Sequence, residues 1–448
     1  MRTAVRRTVR VLAVVLAVLL LPAAGAAVSA TAAFGAHFAP GPDRPTPAPA
    51  PVPHDPAKPT AVVVVGALGA EVSDVLAPYE ILAATGRFNV YTVAPQRRPV
   101  PLTGGLDLVP DLTFDDLARR IGTPDLVVVP ALPDDGEPTT APVTGWLRTQ
   151  AAGGAQLLGV CNGGGVLASA GLLDGRPATA HWLRISTYQE RHPEVDWVRG
   201  QRVVDDGNVV TTAGITSSID GTLHIVERLV GPAAAADAAA AIAWRHYRTD
   251  PPVTTGPAVP DPAAILNAGY SWNPPTIGVL LTDGVGEIEL ASVFDSYSQS
   301  LATRLLALSA DGAPVRSRHG LTFLTRAAYA AAGPQLDRLV VPGSAAAARP
   351  VAPAPGGPEP QYLHDQPGFA FDAVVTDLAE HTDVATARWT AKVLELPTDG
   401  LDLHGPAWPW APSAALAALA LIGAAAATTV ARALGHRRRG RENAETRA

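Results

Sequence analysis

The apolar positions of this chain fall into short runs that alternate between two periods. Residues 60–65 are an almost unbroken β-branched run, the pattern of a strand buried on both faces. Residues 75–84 follow with helical spacing, and 87–94 read as a second strand. The alternation continues through a helix at 114–121, a strand at 125–129, a helix at 143–152 and a strand at 156–160. A late strand at 208–212 precedes closing helices at 217–229 and 233–247. Strands alternating with helices predict an α/β fold on a parallel sheet. In such sheets ligands bind at the carboxyl ends of strands, and residue 161 lies at such an end.

Proline-rich stretches divide the chain. Residues 34–58 read as a stiff, extended linker, and 249–274 as a second one. Beyond it the first pattern returns. Pro59-Thr60 and the run after it are echoed by Pro275-Thr276 and 279–281; 89–95 by 304–310; 105–108 by 320–323; and 125–130 by 337–342. The echoes then stop in Ala/Pro-rich sequence at 345–358 and resume at Phe371-Asp372, which resembles Ile219-Asp220. This predicts a body at 59–248 and a truncated, degenerate second copy at 275–398 that lacks the strand–turn–helix around residue 161. The second copy is expected to pack against the first. A chance recurrence of an α/β pattern is the alternative.

Both ends carry apolar runs. Arg2, Arg6, Arg7 and Arg10 precede the run 11–21, so 1–33 reads as an export signal or an N-terminal membrane anchor. Trp408 and Trp410 precede an Ala/Leu-rich run, and Arg432 and Arg437 to Arg439 follow it. That is a transmembrane helix at 412–431 with a basic tail at 432–448. An Ala-rich soluble helix is the alternative. The positive-inside rule places the tail in the cytoplasm and the body outside the cell membrane. The net charge of −7 and the absence of a broad basic domain exclude a nucleic-acid partner.

The only cysteine, Cys161, lies in Gly159-Val160-Cys161-Asn162-Gly163-Gly164-Gly165, between a strand and a helix. Such a turn fits a nucleophile elbow, where a helix N-terminus favours the thiolate. A buried structural cysteine fits the same residues. Asp74, after the first strand, can act as a proton-carrying partner or as a helix N-cap; Glu71 competes for the first role. His181, followed by Trp182, is either a site histidine or half of a packed core pair. The other histidines and the lone cysteine show no metal-ligand spacing, and no cofactor motif is present.

Residues 59–248 resemble the DJ-1/PfpI (ThiJ) superfamily, of class I glutamine-amidotransferase-like, flavodoxin-type fold. The motifs are Asp74-Val75-Leu76-Ala77-Pro78-Tyr79-Glu80, the Cys161 turn, residues 170–176, Ala178-Thr179-Ala180-His181-Trp182 and Thr212-Ala213-Gly214-Ile215-Thr216-Ser217-Ser218-Ile219-Asp220. The resemblance is nearest to the isonitrile hydratases and the amidase-like domains of AraC-type regulators. It implies a doubly wound sheet, a nucleophile at Cys161, an acidic partner at Asp74 and an active-site histidine at His181. It also implies substrate or oxyanion binding by Asn162, Gly163 and Ala131. Two departures stand out: Asn162 replaces a usual Thr, and Pro130-Ala131-Leu132-Pro133 replaces Pro-Gly-Gly. In the second copy Glu289 falls at the position of Asp74.

Two functions follow as expectations. One is a membrane-anchored, cysteine-dependent hydrolase or hydratase acting on a small electrophile. The other is a small-molecule or redox sensor that uses the same pocket without turnover.

Overall fold

The computed structural model describes residues 2–47, 53–248 and 255–445. Seven strands form the first sheet. Across it run Val203–Asp206, Val209–Thr212, Gln156–Gly159, Leu126–Val129, Thr60–Val64, Asn89–Ala94 and Leu112–Thr113. All pairings are parallel except the edge hairpin at 203–212. Thr60–Val64 is central and wholly buried, as its β-branched run requires. The closing helix stops early, at Ala241 rather than near 247, and Ala243 then turns left-handed at φ 55°.

A second, five-stranded parallel sheet runs Ala327–Ala328, Arg304–Ser309, Thr276–Leu280, Arg338–Val341, Pro360–Tyr362. Its register repeats that of the first sheet. Thr60 pairs with Asn89, and Thr276 with Arg304; Ala61 pairs with Leu126, and Ile277 with Arg338. Asp125 Oδ2 accepts the N–H of Thr60 at 2.7 Å, and Asp337 Oδ2 accepts that of Thr276 at 2.7 Å. One expectation is corrected here. The strand position before the elbow is not missing from this half, because Pro360–Tyr362 pairs with Arg338–Val341 there.

The halves meet along two seams. The hairpin Val100–Leu102/Leu106–Val109 and the hairpin Val315–Arg316/Thr322–Leu324 join into one antiparallel sheet, with Leu108 opposite Phe323. Beneath it helix Val72–Ala84 packs on helix Glu287–Gln299. One hydrophobic core runs continuously through both halves, from Ala61 to Leu396. Arg326 crosses the seam to Asp107 at 2.8 and 3.1 Å, and also donates to Ala39 O at 2.7 Å. The chain at 37–39 is therefore docked on the body, within the stretch expected to be a stiff, extended linker.

Two helices, Arg2–His37 and Trp410–Glu445, contain apolar stretches long enough to cross a membrane, at 11–37 and 410–430. They run antiparallel. A Cβ on Gly423 would meet Ala17 O, and one on Gly25 would meet Leu419 Cδ1. Small residues at such crossings let apolar helices approach closely. Tyr270 donates to Pro22 O at 3.2 Å and Ser29 to Ala268 O at 3.3 Å, which ties the first helix to the body.

Candidate active site

The elbow forms because the sheet delivers Gln156–Gly159 between two parallel neighbours and the chain must then reverse sharply into helix Gly163–Ser169. Cys161 takes the strain of that reversal, at φ 55°. A non-glycine residue held left-handed is costly, and such residues gather at functional sites. Thr212 Oγ1 accepts the Cys161 N–H at 3.3 Å. Gly163 is required by space: a Cβ there would overlap the Val129 carbonyl. Gly163→Ala is expected to destabilise the fold by about 1–3 kcal/mol through overpacking. An unchanged thermal melting point would show that the elbow has room to spare.

Asp74 lies in the first turn of helix Val72–Ala84, so it is not the N-cap; Glu71 holds that position. The Asp74 side chain is wholly buried. Its Oδ2 accepts the Ala131 N–H at 2.9 Å. Its side-chain neighbour is the Cys161 thiol, and Oδ1 has no hydrogen-bond partner. Ala131 O accepts the Glu71 N–H at 3.0 Å, so the loop after Leu126–Val129 clamps the helix start from both sides.

The second half adds a third acid. Asp295, from helix Glu287–Gln299, accepts a hydrogen bond from Ser73 and lies against Glu71. Burial raises the Asp74 pKa well above the ordinary carboxyl range; Ala131's N–H opposes this and Asp295 adds to it. Glu71 rises too, by burial first and then by the charges of Asp295 and Asp74. Burial likewise pushes the Cys161 thiol well up, with Asp74 and Glu71 adding and the Asn162 N–H opposing. Burial thus works against the thiolate that the elbow's helix start favours. A short helix terminus cannot outweigh burial among carboxyls. The site thus sets the thiol beside a buried acid, both shifted toward their protonated forms.

The other expected site residues fare differently. The Ala131 N–H holds Asp74, and the Gly163 N–H donates to Val160 O at 2.7 Å, so both amides are already engaged and neither stands free for an oxyanion. The elbow donor directed at sulfur is Asn162 N–H. The Asn162 side chain is half-buried, and its Oδ1 has no partner. His181 is buried, neutral and engaged at both nitrogens. Nε2 donates to Val393 O at 2.8 Å and Nδ1 accepts from Leu183 N–H at 3.1 Å. It holds a segment of the second half, with no hydrogen bond to Cys161 or Asp74.

In the second half the matching place is furnished otherwise. Cys161 lies two residues beyond Gly159, which pairs with Val129; His364 lies two residues beyond Tyr362, which pairs with Val341. Glu289 accepts the Ser344 N–H at 2.8 Å, as Asp74 accepts that of Ala131. A cavity of about 480 Å³ opens there, lined by Glu80, Glu289, Arg318, His364, Asp372 and Ala243 among others. Glu80, Glu287 and His319 bring ligand atoms within 4.8 Å of one another, but Arg318 and Ile288 N–H already engage Glu80.

Sequence reasoning missed Asp295 and Glu395. A signal for Asp295 existed: Glu80 follows Asp74 by six residues, and Asp295 follows Glu289 by six. Each crosses the seam to the other half's helix start, Glu80 to Ile288 N–H and Asp295 to Ser73.

An elbow cysteine backed by a buried acid, on a doubly wound sheet, defines a class, and the comparisons agree with it. The DJ-1/PfpI family model matches residues 60–228. The chain is 32% identical over 207 residues to the isonitrile hydratase of Pseudomonas putida, covering 46% of this chain and 86% of that protein. It is 32% identical over 169 residues to the HTH-type transcriptional regulator CdhR of Pseudomonas aeruginosa, covering 37% of this chain and 49% of the regulator. Among solved structures, Drosophila melanogaster DJ-1beta aligns at 22% identity and TM-score 0.37, covering 41% of this chain and 97% of that one. The chain belongs to the DJ-1/PfpI family.

Proposed function

We propose that the protein is a membrane-anchored, extracytoplasmic hydratase or hydrolase in which Cys161 attacks a small electrophilic carbon. The observation that carries this is the pairing of a strained elbow thiol with a wholly buried acid that Ala131 N–H fixes and burial shifts toward its protonated form. Sulfur forms a bond to the substrate carbon as Asp74 gives its proton to the substrate and receives the thiol proton. Water then adds its oxygen at that carbon and gives a proton to Asp74, while the C–S bond breaks and Asp74 returns its own proton to sulfur; with an amide, the C–N bond breaks first and the amine leaves with the proton from Asp74. The similarity to an isonitrile hydratase favours hydration, whereas Asn162 in place of Thr leaves amides and nitriles in the same test.

The reading extends to the whole chain. The shared strand order and register favour an internal duplication whose second copy takes the place of a partner subunit. The antiparallel terminal helices favour a retained two-helix anchor, with both basic ends on the cytoplasmic side and the body outside.

The test uses the detergent-solubilised full chain against small isonitriles, nitriles, amides and aldehydes. Cys161→Ala and Cys161→Ser are expected to fall to background. Turnover surviving either substitution would sink the enzyme reading. A thermal shift with a ligand, without turnover, would leave the sensor. The sensor, in its ligand-binding form, is favoured by the burial of Cys161 and Asp74. The raised thiol counts against its redox form, because oxidation starts from the thiolate.

A further inference from the structure

We infer that the Cys161 pocket contains a recognition site for a substrate carboxylate, and that the chain's own Glu395 occupies it in this structure. This rests on reading the Cys161 pocket as the substrate pocket.

Glu395 follows helix Val384–Leu394 in the second half and turns left-handed at φ 55°. Its side chain is 2% exposed and enters the first half at the loop after strand Val209–Thr212. There Oε2 accepts from Gly214 N–H at 2.6 Å and from Ser217 Oγ at 2.6 Å, while Oε1 accepts from Thr255 Oγ1. The Arg202 guanidinium lies 4.0 Å from Oε2. These donors converge on one carboxylate in a buried place. Left empty, they would carry the full cost of unmade hydrogen bonds, so whatever displaces Glu395 must bring acceptors and preferably a negative charge.

Three further observations mark the site as built. Gly214 has no side chain to obstruct it; a Cβ there would collide with Cγ and Cδ of Glu395. The two residues before Glu395 make a strap onto the first half, with Val393 O on His181 Nε2 and Leu394 O on Thr216 N–H. The other half supplies the control. Ala243 also follows a closing helix at φ 55°, but it has only a methyl group, and there the cavity of about 480 Å³ stays open. The strap also borders the reactive centre. Thr212, two residues before Gly214, holds the Cys161 N–H, and the charge of Glu395 adds to the raising of the thiol.

Because Cys161 is the only cysteine, whole-protein mass reads its alkylation directly. The reagents are iodoacetate, which carries a carboxylate, and iodoacetamide, which does not. Each forms an S–C bond with loss of iodide, and the thiol proton goes to solvent. The native full chain in detergent is expected to react slowly with both. Glu395→Ala is expected to speed iodoacetate about tenfold more than iodoacetamide, with propionate suppressing the gain. Glu395→Gln removes the charge but keeps the side chain among the donors, and is expected to stay slow. Equal acceleration of both reagents, no acceleration in a folded Glu395→Ala protein, or a Glu395→Gln protein as fast as Glu395→Ala would each overturn the inference. If Glu395→Ala fails to fold, Glu395→Asp shortens the side chain and draws its carboxylate back while leaving every donor of the site in place. It should give a smaller selective gain, and its failure to do so would count equally against the site. Alkylation needs no turnover. Selective labelling without activity on the substrate panel would keep the carboxylate site and discard the enzyme.

Discussion

Asp74→Asn is expected to cut turnover by about 10²–10⁴-fold while making the folded protein less sensitive to alkaline pH. The amide oxygen can still accept the Ala131 N–H, so the helix start keeps its place. The proton that the acid would carry is gone. The stability effect follows from the raised pKa of Asp74. Above the ordinary carboxyl range the unfolded chain has released its proton, whereas the folded protein still holds one. Folding therefore takes up protons, and stability falls as pH climbs from that range toward the raised folded value. Each proton so taken up makes the slope steeper by about 1.4 kcal/mol per pH unit. Asn has no proton to lose and removes this share of the slope. Glu71 and Asp295, also raised, keep a remainder. Glu80, raised to about 7 across the seam, acts in the same direction. Melting temperatures at pH 5.5 and 8 check this. The native protein should be more stable at the lower pH, and the gap should narrow in Asp74→Asn. A native protein that gains stability toward pH 8, or a variant with full turnover, would refute the assignment.

Arg326→Ala is expected to cost about 3–5 kcal/mol, the usual penalty for removing one partner of a buried ion pair. Arg326 and Asp107 side chains are 15% and 5% exposed, so Asp107 would be left buried without its cation. The loss falls on the sheet that joins the halves, because Asp107 and Leu324 are paired across it. Adding Asp107→Asn should recover much of the loss, since the stranded charge then disappears. Denaturant unfolding of the single and double variants measures both. A single-variant cost below about 1 kcal/mol would mark the pair as no better than an exposed one.

The parts of the fold that were legible in the sequence share one property: their signal is local. The run at 60–65 reads as a central strand because β-branched side chains are buried on both faces. The glycines around Cys161 read as an elbow because a tight reversal excludes side chains. Strand Pro360–Tyr362 was hidden because it is a short sheet-edge strand, only partly buried at all three residues, so it needs no hydrophobic run and tolerates a leading proline. The place of Asp74 near Cys161 was legible from its position after the first strand. That of His181 was not, because its partner, Val393 O, lies 212 residues away.

By itself, then, the sequence determined the α/β pattern, the strained elbow at Cys161, the buried acid beside it and the apolar terminal helices. Each follows from neighbours within a turn or a strand. Only the tertiary structure decided the ionisation and the accessibility of the site. Burial pushes the thiol up where the local helix start favoured the thiolate, with Asp74 and Glu71 adding, and Asp295 comes from the second half to lie against Glu71. Glu395 comes from farther still to sit among donors of the first half. Charge and burial act through space rather than along the chain, and no local pattern records which distant side chain will arrive.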